Sequence, residues 1–406
     1  VTDHFYDSAT VQCPYPNYRN LREGDPVHRL EDEDVYLVTR YADCEAVLAQ
    51  PDVFSNKVGP GLRQHELMGA ARAPESAGYR VVRTLLTNDP PSHTRYRRLV
   101  AKAFTVRRVA ELQPKITSVA DELIDRFEEG SVDLVRDLAE PLPLVVIADF
   151  LGVPRSDLGS FRKWSDDAAT VLGGTLSEER SIQCQQSLQE LLGYFDQRVG
   201  ERRLQPSDDF LGLLLEARTE EDQPLKTEEM LAISYVTLVA GNETTVNLLS
   251  SLLLLLLRQP GSLERIRADR SLIPKAVEEA LRVEAPVQGS VRLARIDTEI
   301  GGTPVPKGSR VLIVAGAANH DPAEFPQPDD FDLDRPNSRQ HLSFGKGIHF
   351  CLGAPLSRLE AAVTLERLVE RVDRIELAAG FQPVYADNAV LRSLKALPVH
   401  LSRKAS

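Results

Sequence analysis

Phe344-Gly345-Lys346-Gly347-Ile348-His349-Phe350-Cys351-Leu352-Gly353 sets one cysteine among glycines, directly before a stretch, Ala354 to Val372, whose apolar residues recur at helical spacing. A thiolate at the amino-terminal end of a helix is favoured by the unpaired amides and the macrodipole there, and thiolate is the metal-binding form of cysteine. The glycines let the backbone pass close to a flat ligand and aim its N–H groups at the sulfur. A cysteine with no such surroundings would be a small, inert core residue.

Upstream of this loop the chain changes character twice. Val35-Tyr36-Leu37-Val38-Thr39 reads as a short strand, and Tyr41 to Gln50 as a helix stopped by Pro51. Residues 56–80 carry scattered Gly and Pro without a sustained period, so they read as a long irregular loop and a candidate lid. From His93 to Glu279 the pattern is helical, with three- and four-residue spacing over Val119 to Phe127, Leu142 to Leu151, Ser187 to Arg198 and Glu228 to Arg258. After Arg282, Gly and Pro clusters flank a β-like run, Arg310 to Val314, and residues 319–350 form a meander. No internal repeat, low-complexity tract or linker divides the chain.

Composition excludes several classes. The 406 residues are 42% hydrophobic and 27% charged, with a mean hydropathy of −0.24, which suits a globular protein with a sizeable core. Lys and Arg number 48 against 60 Asp and Glu, a net charge of −12, so a nonspecific nucleic-acid binder is not expected. Cys13, Cys44, Cys184 and Cys351 contain no CxxC pair and imply a reducing, cytoplasmic setting. The first residues show no signal-peptide pattern, and the apolar run Leu248 to Leu257, broken by Ser250 and Ser251, is about half the roughly 20 residues a membrane span needs. It reads as a helix buried on all sides, with no membrane partner. His65-Glu66-Leu67-Met68-Gly69 lacks the second histidine of a zinc helix, Gly59-Pro60-Gly61 lacks the third glycine of a dinucleotide turn, and neither a Gly-Lys-Ser/Thr loop nor a Gly-x-Ser-x-Gly elbow occurs.

Further motifs keep company with the cysteine. Ala240-Gly241-Asn242-Glu243-Thr244-Thr245 lies inside the long helical stretch, where the Thr244 hydroxyl can bond the carbonyl of Ala240 and, with Gly241, bend the helix. Glu279 and Arg282 are three apart on one helix face; Glu264 and Arg267 have the same spacing and read as a solvated pair. His93 and Arg97, four apart, put two donors on one face.

Taken in this order, the motifs resemble those of the cytochrome P450 family from about residue 35 to the end. The resemblance implies a mainly α (α+β) fold, with a long central I helix and small side β-sheets, and one haem domain over residues 1–406. Cys351 would be the axial ligand of haem b iron; thiolate ligation favours O–O cleavage, P450s being the standard example. Ala240, Phe344, Gly345 and Gly353 would line the haem, and His93, Arg97, Arg292 and His349 would bind its propionates. Glu243 and Thr244 would relay protons to O2, while Glu279, Arg282 and Arg335 would form a structural network.

The reaction implied is insertion of one oxygen atom from O2 into a C–H or double bond, with NAD(P)H electrons arriving indirectly through a ferredoxin reductase and a ferredoxin. Between His93 and Ala110 lie only cationic charges, and Arg98, Lys102, Arg107 and Arg108 would face the acidic ferredoxin. The enzyme is expected to be a monomer. By resemblance the substrate pocket draws on residues 57–87 and 165–185, Val236 to Thr244, Pro286 to Val291 and Val390 to Arg392. Those segments are mostly apolar and suit a small lipophilic substrate, whereas Arg63, Arg72, Arg80 and Arg83 offer a carboxylate partner instead. The alternatives are a peroxide-driven oxygenase of the same kind, whose relatives typically lack the acid and alcohol pair, and a non-catalytic haem or ligand-binding protein.

Overall fold

The computed structural model describes residues 7–30, 34–58, 79, 82–173, 176–218 and 223–403. The lid expected over 56–80 therefore lies largely outside the described residues, as do Arg63, Arg72 and Arg80.

One helix, Thr227–Arg258, organises the rest. Its start is fixed by Glu229, whose carboxylate accepts the Lys226 backbone N–H at 2.8 Å and also bonds Tyr96 at 2.8 Å and Arg95 at 2.9 Å. The amino-terminal half, with Met230, Leu231, Ile233 and Leu238, packs into a core shared with Phe161, Trp164, Leu191, Phe195 and Phe210. The carboxy-terminal half, from Val246 to Leu256, packs into a second core with the helices Gln113–Asp125, Leu272–Val283 and Ala354–Arg371. At about 1.5–3 kcal/mol for each fully buried leucine, these two cores dominate the stability of the helical part. The central helix is apolar and long enough to cross a membrane, but 72% of its most apolar window is buried within the fold. Between the two cores, Ala240 is exposed and Gly241, Glu243 and Thr244 are only half-buried.

Most of the described strands come from the chain's two ends. In order they are β1 (Val27–Leu30), β2 (Val35–Val38), β3 (Phe54–Ser55), β4 (Gly130–Asp133), β5 (Ser290–Ala294), β6 (Thr298–Ile300), β7 (Thr303–Val305), β8 (Arg310–Ile313), β9 (Val372–Leu377) and β10 (Pro398–Arg403). A five-stranded sheet runs β1-β2-β8-β5-β3; β2 and β8 are parallel, with Val35 opposite Arg310, and the other pairs are antiparallel. Its register puts Arg292 on β5 opposite Val311. A three-stranded sheet, β4-β10-β9, and the β6-β7 hairpin complete the described strands.

Candidate active site

The Cys351 loop is shaped by its glycines. Gly345 and Gly347 adopt left-handed conformations, φ +67° and +69°, and a Cβ on Gly347 would come within 3.0 Å of the Leu48 carbonyl, so a side chain there is opposed twice over. The Cys351 N–H donates to the Phe344 carbonyl at 2.9 Å, closing the loop. The sulfur stands at the start of the helix Ala354–Arg371 and accepts hydrogen bonds from the backbone N–H groups of Gly353 and Ala354. Cys351 is itself exposed, yet the enclosing protein pushes its thiol up; those amides and the nearby charges of Arg97 and Arg358 act in the opposite direction. A positive centre bound to the sulfur would tip that balance to thiolate.

A group of hydrogen-bond donors, two arginines and two histidines, converges beside the loop. His93, on the helix Ser92–Ala101, lies with its ring centroid 4.2 Å from that of His349, and Arg97, one turn on, donates to the Phe350 carbonyl at 2.7 Å. Arg292 is buried, with its hydrogen bonds going to the Val291 carbonyl and the Ser290 hydroxyl, and burial lowers its guanidinium to about 10. Burial, with the charges of His93, Arg292 and Arg97, takes His349 down to about 3. Asp89 is the carboxylate acting on Arg292, His93 and His349, and it is itself engaged by the Ser55 hydroxyl at 2.5 Å and the Asn56 N–H at 2.8 Å. His93 Nδ1 and His349 Nε2 are buried without partners. Four cationic or donor side chains, short of anions and with two orphaned ring nitrogens, suit a ligand that brings carboxylates of its own.

On the central helix the Thr244 hydroxyl donates to the Ala240 carbonyl at 2.7 Å, while the α-helical pattern continues unbroken from 227 to 258. Gly241 permits a close crossing, since a Cβ there would meet Ile147 Cδ1 at 2.8 Å. Glu243 Oε1 accepts from the Ser393 hydroxyl at 2.8 Å. Burial raises the Glu243 carboxyl, Asp166 and Glu140 push it the same way, and the Ser393 hydrogen bond opposes them. The Thr245 hydroxyl meets that of Ser357 at 3.4 Å, which ties the central helix to the helix that begins just after Cys351.

The family model for cytochrome P450 matches residues 175–374. The chain is 38% identical to cytochrome P450 monooxygenase PikC of Streptomyces venezuelae over 96% of its length and 91% of that protein's. It is also 38% identical to the 6-deoxyerythronolide B hydroxylase of Saccharopolyspora erythraea, over 99% of both chains. The chain belongs to the cytochrome P450 family. Among solved structures, this P450 aligns with CYP109E1 from Bacillus megaterium in complex with testosterone at a TM-score of 0.85 and 34% identity, over 97% of this chain and 99% of that one. It is an oxidoreductase that uses haem b, O2 and electrons passed from NAD(P)H by redox partners. The sulfur at a helix start and the anion-poor group at His93, Arg97, Arg292 and His349 fit an iron porphyrin with two carboxylates.

Behind the P450 loop lie two ionic networks built on buried carboxylates. Glu279 accepts from Arg282 at 2.8 and 2.9 Å and from Arg335 at 2.8 Å, with Glu279 and the Arg282 side chain fully buried. Arg282 spends its remaining donors on the carbonyls of Asn319, Pro328 and Asp330, which fastens the meander. Sequence reasoning missed the second network: Arg358 is held by Glu278 at 2.5 and 2.9 Å, His341 reaches Glu278 at 3.2 Å, and the guanidinium lies 4.6 Å from the centre of the Phe344 ring. Arg392, placed at the pocket margin by resemblance, turns out to be a fastening of the carboxy-terminal loop. It bonds Glu284 at 3.0 Å and the carbonyls of Val11 and Gln12, and it lies over the Tyr385 ring. The neighbouring pocket segments do meet, as Gln288 N–H donates to the Val390 carbonyl at 2.7 Å and Val287 pairs with Leu391.

Of the cationic stretch, Arg98, Lys102 and Arg107 are exposed; Arg107 pairs with Glu111 at 3.0 Å and Arg108 with Asp208 at 3.2 Å. Their positive charge is thus partly answered within the chain.

Proposed function

We propose that this P450 is a single haem domain, cytoplasmic and monomeric, that hydroxylates or epoxidises a lipophilic organic molecule with electrons from a ferredoxin. The observation that carries the reading is the arrangement at Cys351: a sulfur at a helix start, met by two backbone N–H groups, beside two arginines and two histidines with orphaned ring nitrogens. Bound haem supplies the activation of dioxygen that no side chain can perform. Cys351 would hold the iron, and His93, Arg97, Arg292 and His349 would fix the propionates. Glu243, its carboxyl raised by burial and by the charges of Asp166 and Glu140, would pass a proton toward Thr244. The Thr244 hydroxyl, already committed to the Ala240 carbonyl, would present its oxygen to the incoming proton.

The 6-deoxyerythronolide B hydroxylase and the testosterone-bound structure support a bulky, largely uncharged substrate. So does the apolar character of Val287, Val390 and Leu391, which the structure sets side by side. Arg98 and Lys102, close in chain to the Arg97 that touches the cysteine loop, would receive the acidic ferredoxin.

The test is an optical titration of the purified ferric enzyme, with uncharged terpenoids and steroids in one series and fatty or aromatic acids in the other. It is followed by product analysis with NADPH, a ferredoxin reductase and a ferredoxin. A Soret shift to high spin and hydroxylated product confined to the first series are expected. A shift confined to the acids would overturn the uncharged class, and a Soret band absent even after haem reconstitution would overturn the role of Cys351.

A further inference from the structure

The carboxy-terminal loop reaches the central helix at Ser393, whose hydroxyl donates to Glu243 Oε1 at 2.8 Å. The serine has little room to move. Its own carbonyl accepts from the Ala386 N–H at 2.8 Å, and the N–H of the preceding Arg392 donates to the Pro286 carbonyl at 3.0 Å. The Arg392 side chain is tied to Glu284, Val11 and Gln12. A fixed backbone leaves the hydroxyl a small set of rotamers, and the one adopted points at the carboxyl.

The other charged groups facing Glu243 are acidic. Asp166 comes from the helix Leu158–Gly173 and Glu140 from the residue before the helix Pro141–Leu151. Arg162 bonds Glu140, and Arg180 bonds Asp167 beside Asp166, so the cations of this region are committed elsewhere. Among the described residues Glu243 makes no ion pair, and Ser393 is its side-chain donor.

We propose that Ser393 is a positioning residue for proton delivery: it holds one oxygen of the Glu243 carboxyl and leaves the other, Oε2, to carry the exchangeable proton. A hydroxyl suits this task because it donates to Oε1 both when the carboxyl is ionised and when it is neutral with its proton on Oε2, so the grip survives a change of protonation state while favouring the charged form. The proton leaves Oε2 and is replaced there, with no covalent bond between heavy atoms made or broken. This rests on the reading of Glu243 as a proton source.

The experiment compares the wild-type holoenzyme with Ser393→Ala, Ser393→Thr and Glu243→Gln. Infrared titration identifies the protonated Glu243 carboxyl as the band lost in Glu243→Gln. Removing a donor from a carboxylate raises its pKa, so Ser393→Ala should move the midpoint of that band up by about one pH unit, and Ser393→Thr should restore it. Product formed per electron pair in Ser393→Ala should fall between wild type and Glu243→Gln, with its alkaline limb displaced by the same shift. An unchanged midpoint and limb in Ser393→Ala, even with a lowered melting temperature, would overturn the positioning role alone. An unchanged product yield in Glu243→Gln would instead overturn the proton-source reading on which it rests.

Discussion

The two sides of the site are held by different kinds of bond. On the cysteine side, backbone amides meet the sulfur, and the fully buried Glu279 joins Arg282 and Arg335. On the central-helix side, Thr244 and Glu243 are each placed by a single hydroxyl hydrogen bond, at the point where the helix passes from one core to the other. Many mutually dependent contacts make the first side a condition of assembly. Few, independent contacts leave the second side free to work without carrying the fold.

Substitutions can break this contrast. The largest effect is expected from Glu279→Gln, which leaves two buried guanidinium groups short of an anion and should cost about 3–5 kcal/mol, read as a fall in the denaturation midpoint and poor haem retention. Full stability in that variant would place the assembly condition elsewhere.

Acid should act next. Glu278 is held down to about 2 by His341 and Arg358 against the opposing effect of burial, whereas in the unfolded chain it titrates near 4.5. A depressed carboxyl stabilises the fold above its unfolded pKa and loses that contribution as pH falls from about 4.5 to about 2. The buried His341, also lowered, acts in the same direction, because acid favours the unfolded chain in which it charges freely. The Glu278 share is on the order of 3 kcal/mol, and Glu278→Gln should flatten the acid limb of stability measured between pH 5 and 3.

Thr244→Ala sharpens the contrast from the other side. The melting temperature should hold while product per electron pair drops and peroxide rises; unchanged coupling would remove Thr244 from the chemistry. The smallest effect is expected at the surface. Reversing Arg98 and Lys102 to Glu should slow electron transfer from a ferredoxin about tenfold at low salt and much less at high salt.

Local spacing made much of this legible. Apolar periodicity over Glu228 to Arg258 found the helix Thr227–Arg258 almost to the residue, and Ala354 to Val372 found Ala354–Arg371. It found only the middle of Glu178–Leu204, whose ends are polar and give the apolar pattern nothing to repeat. Two Glu-x-x-Arg pairs with the same spacing diverged in the structure. Glu264, 70% exposed, stands 3.6 Å from Arg267, while Glu279 and Arg282 are at 0%. Spacing says which side chains share a helix face; burial decides which of them matter.

Contacts between distant segments left no such mark. Ser393 to Glu243, Arg358 to Glu278 and Asp89 to Ser55 and Asn56 each join residues whose separation follows no period. A serine in a loop carries no signal of the carboxyl it will meet. Arg392 is the instructive case: its neighbours by resemblance are pocket residues, yet its charge is spent on Glu284, where no substrate is needed to explain it.

The parallel pairing of β2 with β8 joins two strands separated by most of the chain, and β5 and β3 are added only beyond β8. During synthesis, Val35–Val38 emerges early and must wait with one edge unpaired until Arg310–Ile313 leaves the ribosome, while the helical middle is already able to collapse. An open apolar strand edge of this kind invites pairing with other chains. The cost of that sheet is therefore kinetic: yield in a cell depends on how long the early strand is shielded from its neighbours, and lower expression temperature or added chaperone capacity should raise it more than any substitution in the finished core.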